Sequence, residues 1–310
     1  MKDNPMVIVI GDIILDEYIQ LEYSGMSAEA PISVYKNEQN HYNLGGAANV
    51  AVNTAGMELR TCLIGMTGSD YNSLICNLLK EKGIAYHIIQ EYRKTTLKRR
   101  FVYEGKQIFR YDDEEESECT TETASSIISI FQNVLEEESV SAIILQDYDK
   151  GVLTDTLIQK IITISHKYAI PVFADPKRKH FSSYRDIFFF KPNRREFLDA
   201  MNLPVDTPEC IWIDKAVAFA DENRIQEFAI TLSEEGILCI HEGELLRCEG
   251  YNIKGADVSG AGDTVIAAAV YAYLQGYTLE ERIAIMNKAG AAACSKIGVQ
   301  GVSLQDIEMA

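Results

Sequence analysis

Short apolar runs alternate along this chain with stretches whose apolar positions recur at helical spacing. Residues 7–10 read as a strand followed by a helix over 47–56, and 61–64 as a strand followed by a helix over 72–81. Residues 142–145 precede a helix over 156–168, 171–174 form a further short strand, and 187–190 lead into a helix over 194–201. Strands that are apolar throughout and alternate with helices predict a mainly parallel sheet covered on both faces, a doubly wound α/β domain. Ligands of such sheets bind at the carboxyl ends of the strands. The polar residues at those ends are Asp12, Asp16, Asp147, Asp175 and Asn193.

Two segments break this rhythm. Residues 17–36 contain stretches of strand-like alternation, and 95–112 read as a hairpin of 97–103 and 107–112 turned through Glu104, Gly105 and Lys106. Together they predict a small sheet projecting from the main domain, a natural lid whose exposed face suits a second subunit. The acidic run 112–118 reads as a solvated linker between lid and core.

With 310 residues, 47% of them hydrophobic, the chain has enough apolar side chains for a sizeable core and too many for a disordered protein. Its longest apolar run, over 265–274, is too short to span a membrane, and no signal peptide is evident. Seven scattered cysteines without a Cys-x-x-Cys pair fit reduced thiols in a cytoplasmic protein and point to no metal site. A formal charge of −17 argues against nucleic acid as a partner but not against small anions. The basic residues are bunched at 98–100, at 177–180, and at Lys191, Arg194 and Arg195, where they can focus a local positive field.

The segment Asp257-Val-Ser-Gly-Ala-Gly-Asp263 opens the apolar run and reads as the start of a buried helix. Gly260, Ala261 and Gly262 then lie at an N-terminus whose unpaired amides and dipole attract anions. Asp263, in the first turn, is suited to take a proton from a hydroxyl that attacks a phosphate. The plainer alternative is a carboxylate that only complements the helix dipole. A second glycine-rich segment, Gly45-Gly-Ala-Ala-Asn-Val-Ala51, opens another helix and matches neither the dinucleotide nor the P-loop fingerprint. It allows close ligand approach, with Asn49 toward hydroxyls, or simply close helix–strand packing.

Taken with Val7-Ile-Val-Ile-Gly-Asp-Ile-Ile-Leu-Asp16, these two segments resemble the ribokinase, or PfkB, family of sugar kinases over essentially the whole chain. The resemblance implies a single ribokinase-like kinase domain over 1–310, with lid strands within 17–36 and 95–112. It also implies ATP and Mg²⁺, with a monovalent cation such as K⁺ as a further expectation. Asp12, Asp16, Gly45, Gly46 and Asn49 would face the sugar, Asp263 would be the base, and the amides of Gly260, Ala261 and Gly262 would meet the transferred phosphoryl. Lys191-Pro-Asn-Arg-Arg-Glu196 looks like the family's Asn-x-x-Glu element. It implies Asn193 near the nucleotide phosphates and Glu196 organising water around Mg²⁺; an N-cap and a solvated helix residue are the plainer alternatives. Ser233, Gly236 and Asn287 fall where the family flanks the adenine, and Asp257 and Ser259 match positions that hold a monovalent cation in relatives using one. Lys177 is a candidate phosphate contact or, more plainly, a strand-end surface lysine.

Within the family the chain looks most like the D-glycero-β-D-manno-heptose-7-phosphate 1-kinases, the kinase half of a bifunctional kinase/adenylyltransferase of lipopolysaccharide synthesis. The carrying residues are Gly11-Asp-Ile-Ile-Leu-Asp-Glu-Tyr18, Ser27-Ala-Glu-Ala-Pro31, Gln146-Asp-Tyr-Asp-Lys-Gly151 and Asp175-Pro-Lys177. Asp147 joins the expected sugar contacts, and Lys98 and Arg100 on the lid hairpin are candidates for the sugar's own phosphate, against exposed hairpin charges. Ser259 stands where the family usually has Thr, and the run 177–180 is more basic than expected. The likeness implies a lid-mediated homodimer and a product passed to a separate adenylyltransferase. The other readings are a PfkB-type kinase for another sugar or a nucleoside, and a non-catalytic sugar-phosphate-binding regulator.

Overall fold

The computed structural model describes residues 6–251, 253 and 257–310. β1 (Met6–Gly11) is buried at every position and splits its side chains between two cores, Val7 and Val9 to one, Ile8 and Ile10 to the other. The chain leaves the sheet as β2 (Ile13–Met26) and β3 (Ser33–Gly46), then returns through α1 (Ala47–Gly56) to β4 (Arg60–Thr67). α2 (Asn72–Glu81) leads to β5 (Ala85–Gln90), and β6 (Thr96–Tyr103) and β7 (Lys106–Asp113) make the second excursion. α3 (Thr121–Glu137), β8 (Val140–Gln146), α4 (Asp155–Lys167) and β9 (Val172–Asp175) follow. Next come β10 (Phe189–Phe190), α5 (Arg194–Ala200) and α6 (Glu209–Asn223). β11 (Glu227–Thr231), β12 (Ile237–His241) and β13 (Glu244–Cys248) precede α7 (Ala261–Leu274), α8 (Leu279–Cys294) and α9 (Leu304–Met309).

The large sheet runs β13-β12-β11-β10-β9-β8-β1-β4-β5 and is parallel except where β12 meets its two neighbours. α1, α2, α7 and α8 cover one face, and α3 to α6 the other. The antiparallel β12–β13 edge was not evident from the apolar pattern, and β10 takes up only the last two of the residues 187–190 read as a strand. The order reverses between β1 and β8, which opens a crevice at the carboxyl ends of those two strands. α7 is apolar around its circumference because the sheet, α1 and α8 enclose it, and its residues 263–270 are all buried. Among the described residues no helix is long and apolar enough to cross a membrane.

The second sheet, β3-β2-β6-β7, is built by the two excursions, with β2 and β6 parallel and each hairpin antiparallel. It is longer than expected, since β3 continues to Gly46 and delivers both glycines directly to α1. The acidic run behind it is no free linker. Lys150 Nζ lies 2.6 Å from Glu114 and 2.7 Å from Glu116, Lys179 Nζ lies 2.6 Å from Glu118, and Arg93 donates to the Ser117 carbonyl at 3.0 Å. Basic side chains from four separate positions thus fix this run against the core, because Lys94 also pairs with Asp113 at 2.7 Å.

Gly46 is the pivot between the small sheet and α1. Its φ of 58° is left-handed, and a Cβ there would sit 2.4 Å from the Asp12 carbonyl oxygen. Both facts require glycine. Gly46→Ala should therefore lower unfolding free energy by about 2 kcal/mol or more in urea titrations; an unchanged midpoint would refute this account of the pivot.

Candidate active site

Parallel pairing aligns the strand ends. Gly11 stands in register with Gln146, and Gln146 with Asp175, while the Lys191 amide after β10 bonds to Ala174 at 2.9 Å. Asp12, Gln146, Asp175 and Lys191 therefore share one edge, with the N-terminus of α7 set against them.

Asp263 is the centre of this edge and is 2% exposed. Its Oδ2 accepts from Asn49 Nδ2 at 2.7 Å, and its Oδ1 from the Tyr148 hydroxyl at 2.7 Å and Gln146 Nε2 at 3.2 Å. Gln146 Nε2 also donates to Asp175 Oδ2 at 3.1 Å, which in turn pairs with Lys191 Nζ at 3.0 Å. Burial pushes the Asp263 carboxyl up to about 6; the Asn49 and Tyr148 hydrogen bonds and the Lys191 charge oppose that rise, while Asp175 adds to it. Asn49 reaches this far only because Gly260, at φ 78°, has no Cβ; one would lie 2.8 Å from Asn49 Nδ2.

The amides around Asp263 are not equivalent. That of Ala261 turns back to the Val258 carbonyl at 3.3 Å. Those of Gly260, Gly262 and Asp263 have no acceptor among the described residues, so the open amides differ from the expected Gly260–Ala261–Gly262 trio by one residue.

Two lysines approach the Tyr148 ring, Lys98 Nζ at 5.3 Å and Lys177 Nζ at 5.1 Å from its centroid. Burial lowers the Lys98 pKa, against the pull of Asp16 and Glu114, and no ion pair engages its ammonium among the described residues. Lys177 is paired with Glu196. Burial works against the Lys177 charge, but Glu196 and Asp175 outweigh it and raise the pKa. Glu196 Oε2 accepts from the Asn193 amide at 2.9 Å, and Asn193 Oδ1 from the Glu196 amide at 2.8 Å. This is a capping box at the start of α5, so Asn193 is an N-cap whatever else it contacts.

Several expected sugar contacts are engaged with the protein itself. Asp16 and Arg100, expected at a hydroxyl and at a phosphate, pair with each other, and burial raises the Asp16 pKa despite that cation. Asp12 accepts from the amides of Tyr148 at 2.7 Å, Lys150 at 3.1 Å and Val152 at 2.9 Å. Asp147 accepts from the Asp149 amide at 2.9 Å and the Tyr184 hydroxyl at 2.8 Å. Burial raises both carboxyls, Asp147 to about 8 with help from the Asp12 charge. Besides the expected sugar contacts, Asp12 and Asp147 thus hold the loop that carries Tyr148 through its backbone amides.

Ser233 and Gly236 bound the turn after β11, and Asn287 on α8 donates to the Glu249 carbonyl at 2.7 Å. No contact joins these three to the Asp263 network among the described residues. Asp257 caps its own loop, accepting from the Ser259 amide at 3.0 Å and the Gly298 amide at 2.8 Å; those donors outweigh burial and lower its pKa. The basic excess at 177–180 is spread over separate partners, Lys177 to Glu196, Arg178 to Asn202, Lys179 to Glu118 and His180 to Asp155.

Gln146, Tyr148, Asp175 and Lys191 belong to this network without having been assigned to it from sequence. Three of them carried a signal, as polar residues directly at the ends of apolar strands; Tyr148 carried only its place in the Asp147–Gly151 motif.

This fold is shared with sugar kinases of known structure. Escherichia coli phosphofructokinase-2 in complex with fructose-6-phosphate aligns with TM-score 0.81 over 98% of this chain and 97% of that chain, at 17% identity. Ribokinase from Thermotoga maritima aligns with TM-score 0.73 over 98% of both chains, at 18% identity. Such identities speak for the fold alone. Residues 4–306 match the model of the pfkB family carbohydrate kinases, and the chain belongs to that family. The protein named Bifunctional protein HldE of a Nitratiruptor species is 34% identical over 310 residues, covering 98% of this chain and 64% of that protein. Its namesake in Helicobacter pylori is 34% identical over 307 residues, covering 98% and 65%. The chain thus spans just under two thirds of the length of these relatives.

Proposed function

We propose that this carbohydrate kinase transfers the γ-phosphoryl of ATP to the anomeric C1 hydroxyl of D-glycero-β-D-manno-heptose 7-phosphate, giving the 1,7-bisphosphate. The observation that carries phosphoryl transfer is Asp263, a buried carboxylate of near-neutral affinity beside open helix N-terminal amides. The heptose assignment is supported by the 34% identity to the HldE proteins and by the Ser27–Pro31 and Asp147–Gly151 elements.

Asp263 would accept the C1 hydroxyl proton as that oxygen attacks the γ-phosphorus in line; the bond from phosphorus to the β–γ bridging oxygen breaks, ADP departs, and the proton stays on Asp263 until solvent takes it. The amides of Gly260, Gly262 and Asp263 would stabilise charge on the transferred group. Lys177 would exchange Glu196 for a nucleotide phosphate. No cluster of three His, Cys, Asp or Glu forms a closed metal cage among the described residues, whereas Glu196 offers a single carboxylate. That donor set fits a hydrated Mg²⁺ carried on phosphates, which supplies charge neutralisation when bound. Asp257 with Ser259 would serve a monovalent cation, and Ser233, Gly236 and Asn287 the adenine. Lys98 is the available ammonium for the 7-phosphate, with Arg100 held beside it by Asp16. The small sheet would close over the sugar and meet a second copy through its exposed Tyr23, Val34, Ile108, Phe109 and Tyr111.

Asp263→Asn should keep ATP binding by calorimetry while reducing kcat by about 10³-fold or more. Because only the ionised base accepts a proton, wild-type kcat/KM should fall as pH drops through about 6. ATP consumption against a panel of sugars and sugar phosphates should be greatest with heptose 7-phosphate; faster turnover of fructose, fructose 6-phosphate or a nucleoside would replace the substrate assignment. Light scattering should return a dimer, and a monomer would remove the lid interface.

A further inference from the structure

We propose that Asp263 Oδ2 is the oxygen that receives the proton, and that Tyr148 and Gln146 are positioning residues that occupy Oδ1 and so determine which oxygen stays open. This rests on the reading of Asp263 as the base. A carboxylate oxygen has two in-plane lone-pair directions. Oδ1 accepts from both Tyr148, at 2.7 Å, and Gln146, at 3.2 Å, and is full; Oδ2 accepts only from Asn49, at 2.7 Å, among the described residues and keeps one direction free.

The orientation of Gln146 is dictated by charge. Its Nε2 lies between carboxylate oxygens of Asp263 and Asp175, and a flipped amide would set oxygen against both. The side chain keeps this orientation although its Oε1 is then buried without a partner among the described residues, so the two carboxylates outweigh an unmade hydrogen bond. Tyr148 is held as firmly. Asp12 accepts from its backbone amide, and the ammonium groups of Lys98 and Lys177 lie 5.3 Å and 5.1 Å from its ring centroid. The charged groups facing Asp263 are Asp175 at the end of β9, Lys191 after β10 and Lys177, with the Tyr148 phenol as the remaining titratable neighbour.

The test uses the whole chain labelled with ¹³C-carboxyl aspartate, in which the Asp263 resonance is identified by its loss in Asp263→Asn. Tyr148→Phe removes one donor to the ionised form and should raise the Asp263 titration midpoint by about one pH unit. With heptose 7-phosphate and ATP, the acid limb of kcat/KM should rise with it, and plateau kcat should fall less than in Asn49→Ala. Asn49→Ala, which frees the reactive oxygen from its donor, should lower plateau kcat about tenfold or more. An unmoved midpoint in Tyr148→Phe overturns the positioning role. Collapse of plateau kcat in Tyr148→Phe with near-normal Asn49→Ala assigns the proton to Oδ1 and overturns the choice of oxygen. Full activity of Asp263→Asn overturns the base reading instead, and the carboxyl titration distinguishes that failure because it needs no turnover.

Discussion

A carboxylate must be stripped of water and still remain able to ionise near neutrality. That constraint on Asp263 governs how the rest of the molecule is arranged. Burial alone would hold it protonated, so donors have to replace the lost solvent, and no single segment can provide them. They come from α1 through Asn49, from the end of β8 through Gln146, and from the following loop through Tyr148. Bringing those segments together requires the β1–β8 switch point, the packing of α1 on α7, and glycines at 46 and 260 where a side chain would collide with Asp12 or Asn49.

The same logic extends outward. Asp12, Asp16, Asp147 and Asp175 are all buried at or near strand ends, and each is matched to amides, hydroxyls or one cation. On the proposed reading, this is how a chain of net charge −17 would offer an anion site. Of the basic residues nearby, Arg100 is neutralised by Asp16, Lys191 by Asp175 and Lys177 by Glu196. What remains for an anion is a set of open amides at α7 and the ammonium of Lys98, which has no ion-pair partner among the described residues; neither depends on the sign of the overall field.

The β1 and α7 runs were legible in the sequence because burial on all sides leaves an unbroken apolar stretch, and the two excursions because they interrupt the strand–helix rhythm. The hairpin over 97–112 was recognisable from alternation and turn residues, the strands within 17–36 from alternation alone, and Asp263 from the small residues before a helix. Which side chains meet was not legible. Lys98, Arg99 and Arg100 form one basic cluster on paper, yet strand alternation sends Arg99 to Glu17 and Arg100 to Asp16, while Lys98 lies over the Tyr148 ring. Asp12 stands at a strand end, and only the course of the loop after β8 reveals that backbone amides donate to both of its oxygens. Gln146 carries no motif of its own; its importance arises from register, which sets it between Gly11 and Asp175.

The pairs Lys177–Glu196 and Arg100–Asp16 have a further consequence for how a substrate would bind. A buried cation left without a counter-charge would be costly, and an anion arriving at such a cation would gain strongly from it. On the proposed reading, a phosphate meeting Lys177 or Arg100 would bind by exchange, because each already has a carboxylate, and the net gain there would be the difference between two similar interactions. Exchange favours selectivity over raw affinity, because the incoming group must match the geometry as well as the charge that it replaces. On the proposed reading it also links the two halves of the site. Lys177 lies over the ring of Tyr148, whose hydroxyl holds Asp263, so a phosphate that draws Lys177 away from Glu196 changes the surroundings of the base's own donor. Nucleotide arrival and readiness of the base would then be coupled through one aromatic ring.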